Sequence, residues 1–352
     1  MRKLLLVLLM VAMLLLRQPT TAQNTNVRTF PFNGMGVSSE ISPDGQTIAL
    51  FEIWQLHSGV ELPVLPLQLM DLNTGDIRLL AGATDYATNV AFTPDSSKLA
   101  SYHRNGMLYL WDVATATELK QIPAVMGGDV IEFMPDGRTL AVLVAGLPGN
   151  VLLWDTETGY ITKVLTQRFQ NYDEFSAFMN EHSAYALTAM AVSPDGSTIA
   201  AATTYDEIWT WDTVTGESTL LVEANEENRP MLGIRAIHFS ADGQTMIWYN
   251  RTSQTVVFWD VASGTSTEMP SESRSLIAVT PDGQRFSWFD ETSLYVYDTS
   301  TGETVTIPLP TTGLTVTVPA RWVHQFTPDG TRLVFNGYMN SETPYENQIV
   351  VI

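Results

Sequence analysis

The sequence predicts an all-β fold: a seven-bladed β-propeller closed by an N-terminal strand that completes the last blade. Three observations predict it. A Ser/Thr-Pro-Asp-Gly turn, or a near copy, recurs with its acid at Asp44, Asp95, Asp136, Asp195, Asp242, Asp282 and Asp329. A second step, most often aromatic-Asp, recurs between these turns at Asp71, Asp112, Asp155, Asp212, Asp260 and Asp298. A strand-like segment at Val27–Phe30 belongs to no repeat, while the last repeat ends before it can supply a fourth strand. Periods of about 40–50 residues holding several short strands indicate radial or solenoidal arrays. Joining the two orphan ends in one sheet leaves no open seam.

Taken in order, residues 1–22 are read as a secretory leader. Arg2 and Lys3 precede the apolar run Leu4–Leu16, and Thr20-Thr21-Ala22 offers a small-residue cleavage site. The run is short for a bilayer span, although an uncleaved N-terminal anchor is the alternative. The remainder, 23–352, is read as one propeller domain, secreted or periplasmic and monomeric. The leader carries Arg2, Lys3 and Arg17 and no acid, so its removal takes the net charge from −20 to −23. That surface repels phosphate backbones and anionic headgroups, which argues against nucleic-acid partners. No Cys is present, so disulfides, thiolate chemistry and Cys-ligated metals are excluded. With 45% hydrophobic and 16% charged residues, the composition supports a large core in their place.

Each unit reads as four strands. In the fourth, Ala189–Ser193 runs into the turn, Thr198–Thr203 and Ile208–Trp211 follow, and Ser218–Val222 is the outer strand. Pro presets φ at the second turn position, and Asp and Gly accept the tight dihedrals that follow. The second turn, Asp212 to Gly216, repeats this device; Gly stands at its end in five of six copies, and Ala116 replaces it in the other.

Trp111-Asp112, Trp154-Asp155, Trp211-Asp212 and Trp259-Asp260, with trailing Thr-Gly turns, resemble WD40 repeats, and the Pro-Asp-Gly turns resemble those of bacterial WD40-like propellers. The resemblance covers about residues 27–352. It implies a propeller that recognises a protein or peptide. No Gly-His dipeptide precedes any unit, so the His-Ser/Thr-Asp-Trp network of typical WD40 blades is expected to be incomplete.

The short turns fall on one face of the expected disc, and the irregular segments on the other: Trp54–Pro66, Thr166–Leu187, Glu223–Gly233, Leu309–Pro319 and Tyr338–Asn347. Variable loops on a rigid scaffold are where recognition is usually built. In the longest, Phe169, Tyr172, Phe175 and Phe178 recur at helix-like spacing, as a partner-binding insertion or as an ordinary amphipathic cap. Arg274 and Arg321 lie eight residues before their turn Asp and Arg235 seven before its own, with Asp129 at the matching place in the third unit. Arginine forks suit carboxylates and phosphates, so these four residues are a candidate site for an anionic small ligand; blade-bridging or solvated arginines are the plainer reading.

Catalytic constellations are not evident. No Gly-x-Ser-x-Gly, His-Glu-x-x-His or Gly-Lys-Ser/Thr motif is present, and the five His are dispersed without ligand spacing, so no cofactor or metal is expected. The expectation is an exported, non-enzymatic binding or scaffold protein working through its loop-bearing face. The alternative is a hydrolase or lactonase at the channel mouth, with Asp129, Asp173, Glu226 or Glu227 as acid and base beside the arginines.

Overall fold

The computed structural model describes residues 20–21, 28–33, 37–52, 66–124, 128–144, 150–166, 186–223, 234, 236–250, 253–270, 278–289, 293–308, 314–315, 324–339 and 346–351. Among these residues every regular element is a strand. Six blades, spanning 37–80, 87–123, 128–165, 187–222, 237–270 and 278–308, are antiparallel sheets of four consecutive strands. Blade 4 shows the pattern: Leu187–Val192 is the inner strand, followed outward by Thr198–Thr203, Ile208–Asp212 and Ser218–Val222.

The expectation of a seven-bladed propeller is overturned: the consecutive strands form a six-bladed propeller. Six blades have the regular build, and the sheet that completes the ring is a composite. Its inner position is split between Leu314–Thr315 and His324–Phe326, which both pair with Leu333–Met339. Glu346–Val351 follows, and its outer neighbour is Arg28–Asn33, in antiparallel register from Arg28↔Val351 to Asn33↔Glu346. The physical reason lies in the last repeat, which keeps its Thr327-Pro328-Asp329-Gly330 turn but has no aromatic-Asp step from which to turn into an outer strand of its own. Blade 6 is also irregular. Thr20–Thr21, inside the segment read as a leader, add a short parallel fifth strand to its outer edge, opposite Val305 and Thr306.

The second and third strands are buried on both faces, because each face packs on a neighbouring blade; Leu140–Leu143 and Val151–Trp154 form continuous buried runs. Outer strands such as Tyr160–Leu165 stay largely exposed. The core is a ring of seams between blades. Trp111 and Phe92 fill the first seam, Phe133 and Leu110 the second, Trp211 and Leu153 the third, Trp248 and Ile208 the fourth and Phe286 and Ile247 the fifth. Val334 and Val351 of the composite sheet pack on Ile48 and Met70 of blade 1.

Candidate functional site

The two turns of each regular blade lie side by side on one face. The residue after the second-step acid donates its N–H to the carbonyl two positions past the first-turn acid: Leu72 to Gln46 at 2.8 Å, Val113 to Ser97 at 3.0 Å, Thr213 to Ser197 at 2.9 Å. The conserved-looking acids of this face are absorbed locally. Ser193 Oγ donates to Asp195 Oδ1 at 2.7 Å and accepts from the Thr198 N–H at 2.9 Å, while the Ser197 N–H adds a third bond to the same carboxylate oxygen. Asp212 accepts from the N–H groups of Val214 and Thr215. Donors of this kind favour the charged form. The hydroxyls of Thr93 and Thr327, assisted by nearby backbone N–H groups, hold Asp95 and Asp329 down to about 2. The repeated motif therefore fastens turns and leaves little capacity for a ligand.

Blade 2 contains a buried hydrogen-bond chain that the missing Gly-His dipeptide had argued against. Trp111 Nε1 donates to Ser101 Oγ at 2.8 Å; Ser101 Oγ lies 2.8 Å from His103 Nε2; His103 Nδ1 lies 2.7 Å from the Asp85 carbonyl. A carbonyl can only accept, so Nδ1 carries the proton, Nε2 accepts from Ser101, and the imidazole is neutral. Burial, which disfavours the cation, holds the His103 pKa below its ordinary value. The histidine comes from the second strand and not from the segment before the blade, which is why the dipeptide search missed it. Blade 3 lacks the chain. By register, Val142 stands where Ser101 stands, and the buried Trp154 Nε1 has no partner.

A third arrangement lies on the inner strands. Four residues before the turn acid, successive units carry Glu40, Ala91, Glu132, Ala191, His238, Ala278 and Gln325, so polar side chains alternate with Ala around the ring. Two of these polar groups tie one inner strand to the next. Gln325 Oε1 accepts from the Ile41 N–H at 3.2 Å, and Glu132 Oε2 accepts from the Val192 N–H at 3.1 Å. Gln325 Nε2 also donates to Glu40 Oε2 at 3.1 Å. Burial pushes Glu40 up to about 7, partly offset by the Gln325 bond. Burial, and then the charge of Glu40 two blades away, push Glu132 up to about 8. The two carboxyls belong to the inner strands of blades 1 and 3, around the ring's axis. Both keep some contact with solvent along that axis, but surrounding protein dominates their environment. At the matching position of blade 5, desolvation lowers the pKa of His238. Alignment of the repeats on their turn acids exposes this alternation, which lies nearer the turn than Arg235, Arg274 and Arg321.

Of the residues singled out from sequence, Arg235, Arg274 and Arg321 lie outside the described residues, as do Phe169, Tyr172, Phe175 and Phe178 and the alternative acids Asp173, Glu226 and Glu227. Asp129 sits in the inner strand of blade 3, where the pairing register shifts between Gly128 and Val130. Among the described residues, no group of three or more His, Asp or Glu side chains could hold a metal ion. No described helix is long and apolar enough to cross a membrane.

Comparison with known proteins adds three findings. Residues 76–112 match the family described as "WD domain, G-beta repeat", and this stretch holds the Trp111–Ser101–His103 chain. Periodic tryptophan protein 2 homolog of Schizosaccharomyces pombe is 26% identical over 156 residues, which is 42% of this chain and 18% of that protein. The small ribosomal subunit protein RACK1 of the same organism is 31% identical over 142 residues, 40% of this chain and 42% of that protein. The chain thus spans less than half the length of these curated relatives. Among solved structures, the β-propeller domain of Cps50 (Swd1) from Myceliophteria thermophila superposes with a TM-score of 0.66 over 92% of this chain and 99% of that domain, at 14% identity, a likeness of fold. Residues 76–112 are thus a WD40 repeat, and the chain as a whole has the fold of a β-propeller.

Proposed function

We propose that this protein is an exported, non-enzymatic scaffold that captures a protein or peptide partner on the face opposite its stereotyped turns. The observation that carries the reading is the asymmetry between the faces. On one face, the carboxylates of the repeated turns are bonded within their own blades, as in the Ser193–Asp195 turn. The longest inserted segments, led by Thr166–Leu187, connect strands on the other face. Propeller loops carried on such a frame are suited to recognition. Relatives named as ribosomal subunit proteins are components of a larger assembly, which supports a binding role. The basic start, apolar run and small-residue site at 1–22 support export.

The test is capture from an extracellular extract with residues 23–352 as bait, beside a variant in which 167–185 are replaced by a Gly-Ser turn. A specific protein retained by the first and lost by the second, with equal melting temperatures, supports the reading. Equal capture by both moves recognition away from this segment, and turnover of an ester or lactone substrate by the bait overturns the non-enzymatic reading.

A further inference from the structure

Five seams between regular blades, and the seam from the composite sheet to blade 1, are filled by buried side chains. The seam between blade 6 and the composite sheet differs: described residues line a cavity of about 810 Å³ there. One wall is apolar and comes from blade 6 through Leu294, Val296 and Ile307; the other comes from Phe326, Leu333 and Val351 of the composite sheet. The space is a cleft partly open to solvent, and its apolar walls gain little from water, so it suits an apolar guest of small-molecule dimensions.

Its rim has the opposite character. Arg28, Arg285 and Arg332 converge on this cavity in a chain whose net charge is −20. Arg285 and Arg332 hold the same place in consecutive units, three residues after the turn acid, and each reaches the carbonyl of the next unit's turn glycine. They are not equally held. Arg332 donates to Gly45 O at 2.5 Å and to Asn73 Oδ1 at 3.2 Å, and Arg28 donates to the Asn73 carbonyl at 3.1 Å. Arg285 reaches Gly330 O only at 3.4 Å, and its Nε stands 3.9 Å from Asp298 Oδ2. The rim acids engage their Oδ1 atoms, Asp298 with Ser300 and Asp329 with Thr327 and Thr331, while Asp298 Oδ2 stays beyond hydrogen-bond reach of Arg285. A guanidinium fork with donors to spare above an apolar cleft matches a carboxylate on an aliphatic chain.

We propose that the cleft between blade 6 and the composite sheet is a binding site for an aliphatic carboxylate, with its chain between Val296 and Phe326 and its head on Arg285. This site belongs to the turn-bearing side and stands independently of the partner-binding reading of the loop face.

The test is titration calorimetry of the full chain with decanoate, decanol and decyltrimethylammonium. Decanoate is expected to bind one to one, decanol more weakly, and the cation not measurably. Arg285→Gln should weaken decanoate about tenfold, as loss of a charge-assisted contact does, and leave decanol unchanged. Val296→Trp should fill the cleft and abolish binding of both; if that variant melts early, Arg285→Gln alone decides. No binding of decanoate, equal binding of the cation, or an unchanged decanoate affinity in Arg285→Gln overturns the proposal.

Discussion

Trp111 donates its indole N–H to Ser101 Oγ at 2.8 Å, and that bond anchors a relay through His103 to the Asp85 carbonyl. One blade on, Trp154 is also buried and its N–H has no acceptor. Two tryptophans that look interchangeable as sequence therefore contribute differently to stability.

Ser101→Ala should destabilise the protein by about 1–3 kcal/mol, because it strands both the Trp111 N–H and the His103 acceptor in a dry site. Trp154→Phe should cost less than Trp111→Phe, since the group removed from Trp154 is already unsatisfied. Urea midpoints at constant m-value provide the comparison, and equal losses for the two tryptophan variants would remove the relay's energetic role.

The inner ring sets a pH dependence. Glu40 and Glu132 titrate at about 7 and about 8 when folded, above the ordinary 4.5. Between these values the folded state holds protons that the unfolded state has released, so stability falls as pH rises from about 4.5 through 8. The turn acids act in the other direction: their lowered pKa values stabilise the fold above pH 4, and that contribution is lost as pH falls towards 2. Melting temperature should therefore peak in mildly acidic solution. Glu132→Gln retains the acceptor for the Val192 N–H and should flatten the alkaline limb; a wild-type protein more stable at pH 9 than at pH 5 contradicts the assignment.

Blade 2 places non-glycine residues in the left-handed region at both turns, Ser96 at φ 61° and Ala116 at φ 55°. Ala116→Gly should stabilise by about 1 kcal/mol, the approximate cost of a Cβ in that region. Ser96→Gly should gain less, because Ser96 Oγ also accepts the Asp44 N–H from blade 1 at 3.0 Å. Thermal denaturation of the two single variants separates the effects, and a larger gain for Ser96→Gly would show the inter-blade bond to be idle.

Gly75 takes φ +81°, and a Cβ there would press on the ring of Phe30 in the N-terminal strand, 2.7 Å from Cε1. Gly75→Ala should destabilise by about 1–3 kcal/mol through strain and overpacking. Adding Phe30→Ala should relieve part of the clash. A double variant whose loss equals the sum of the two single losses would show that the two positions are uncoupled.

Much of the scaffold was legible because turn chemistry is local. Pro, Asp and Gly at fixed offsets state the hairpin they make, and glycines such as Gly196 and Gly216 do adopt positive φ. The regularity of the ring was less legible. The Thr327–Gly330 turn advertises a blade like the others, but the strands that follow it borrow a partner from more than 300 positions away. Register also hid the His103 relay, since alternation along a strand does not reveal which hydroxyl faces which indole. The paired carboxyls at Glu40 and Glu132 were hidden for the same reason. Each looks like an ordinary surface acid within its own repeat, and only the fold brings the charge of Glu40 to bear on Glu132.

The pairing of Arg28 with Val351 has a consequence for how the molecule is made. During synthesis the strand at 28–33 is made before the six regular blades and its partner at 346–351 after them, so it must wait as an open edge while they assemble. Entropy sets only a modest cost for so distant a contact, because loop closure grows slowly with length, but the delay exposes an unpaired strand to other chains. Full protection of the edge arrives only once residues 346–351 have been made, so ring closure follows the synthesis of all the other blades.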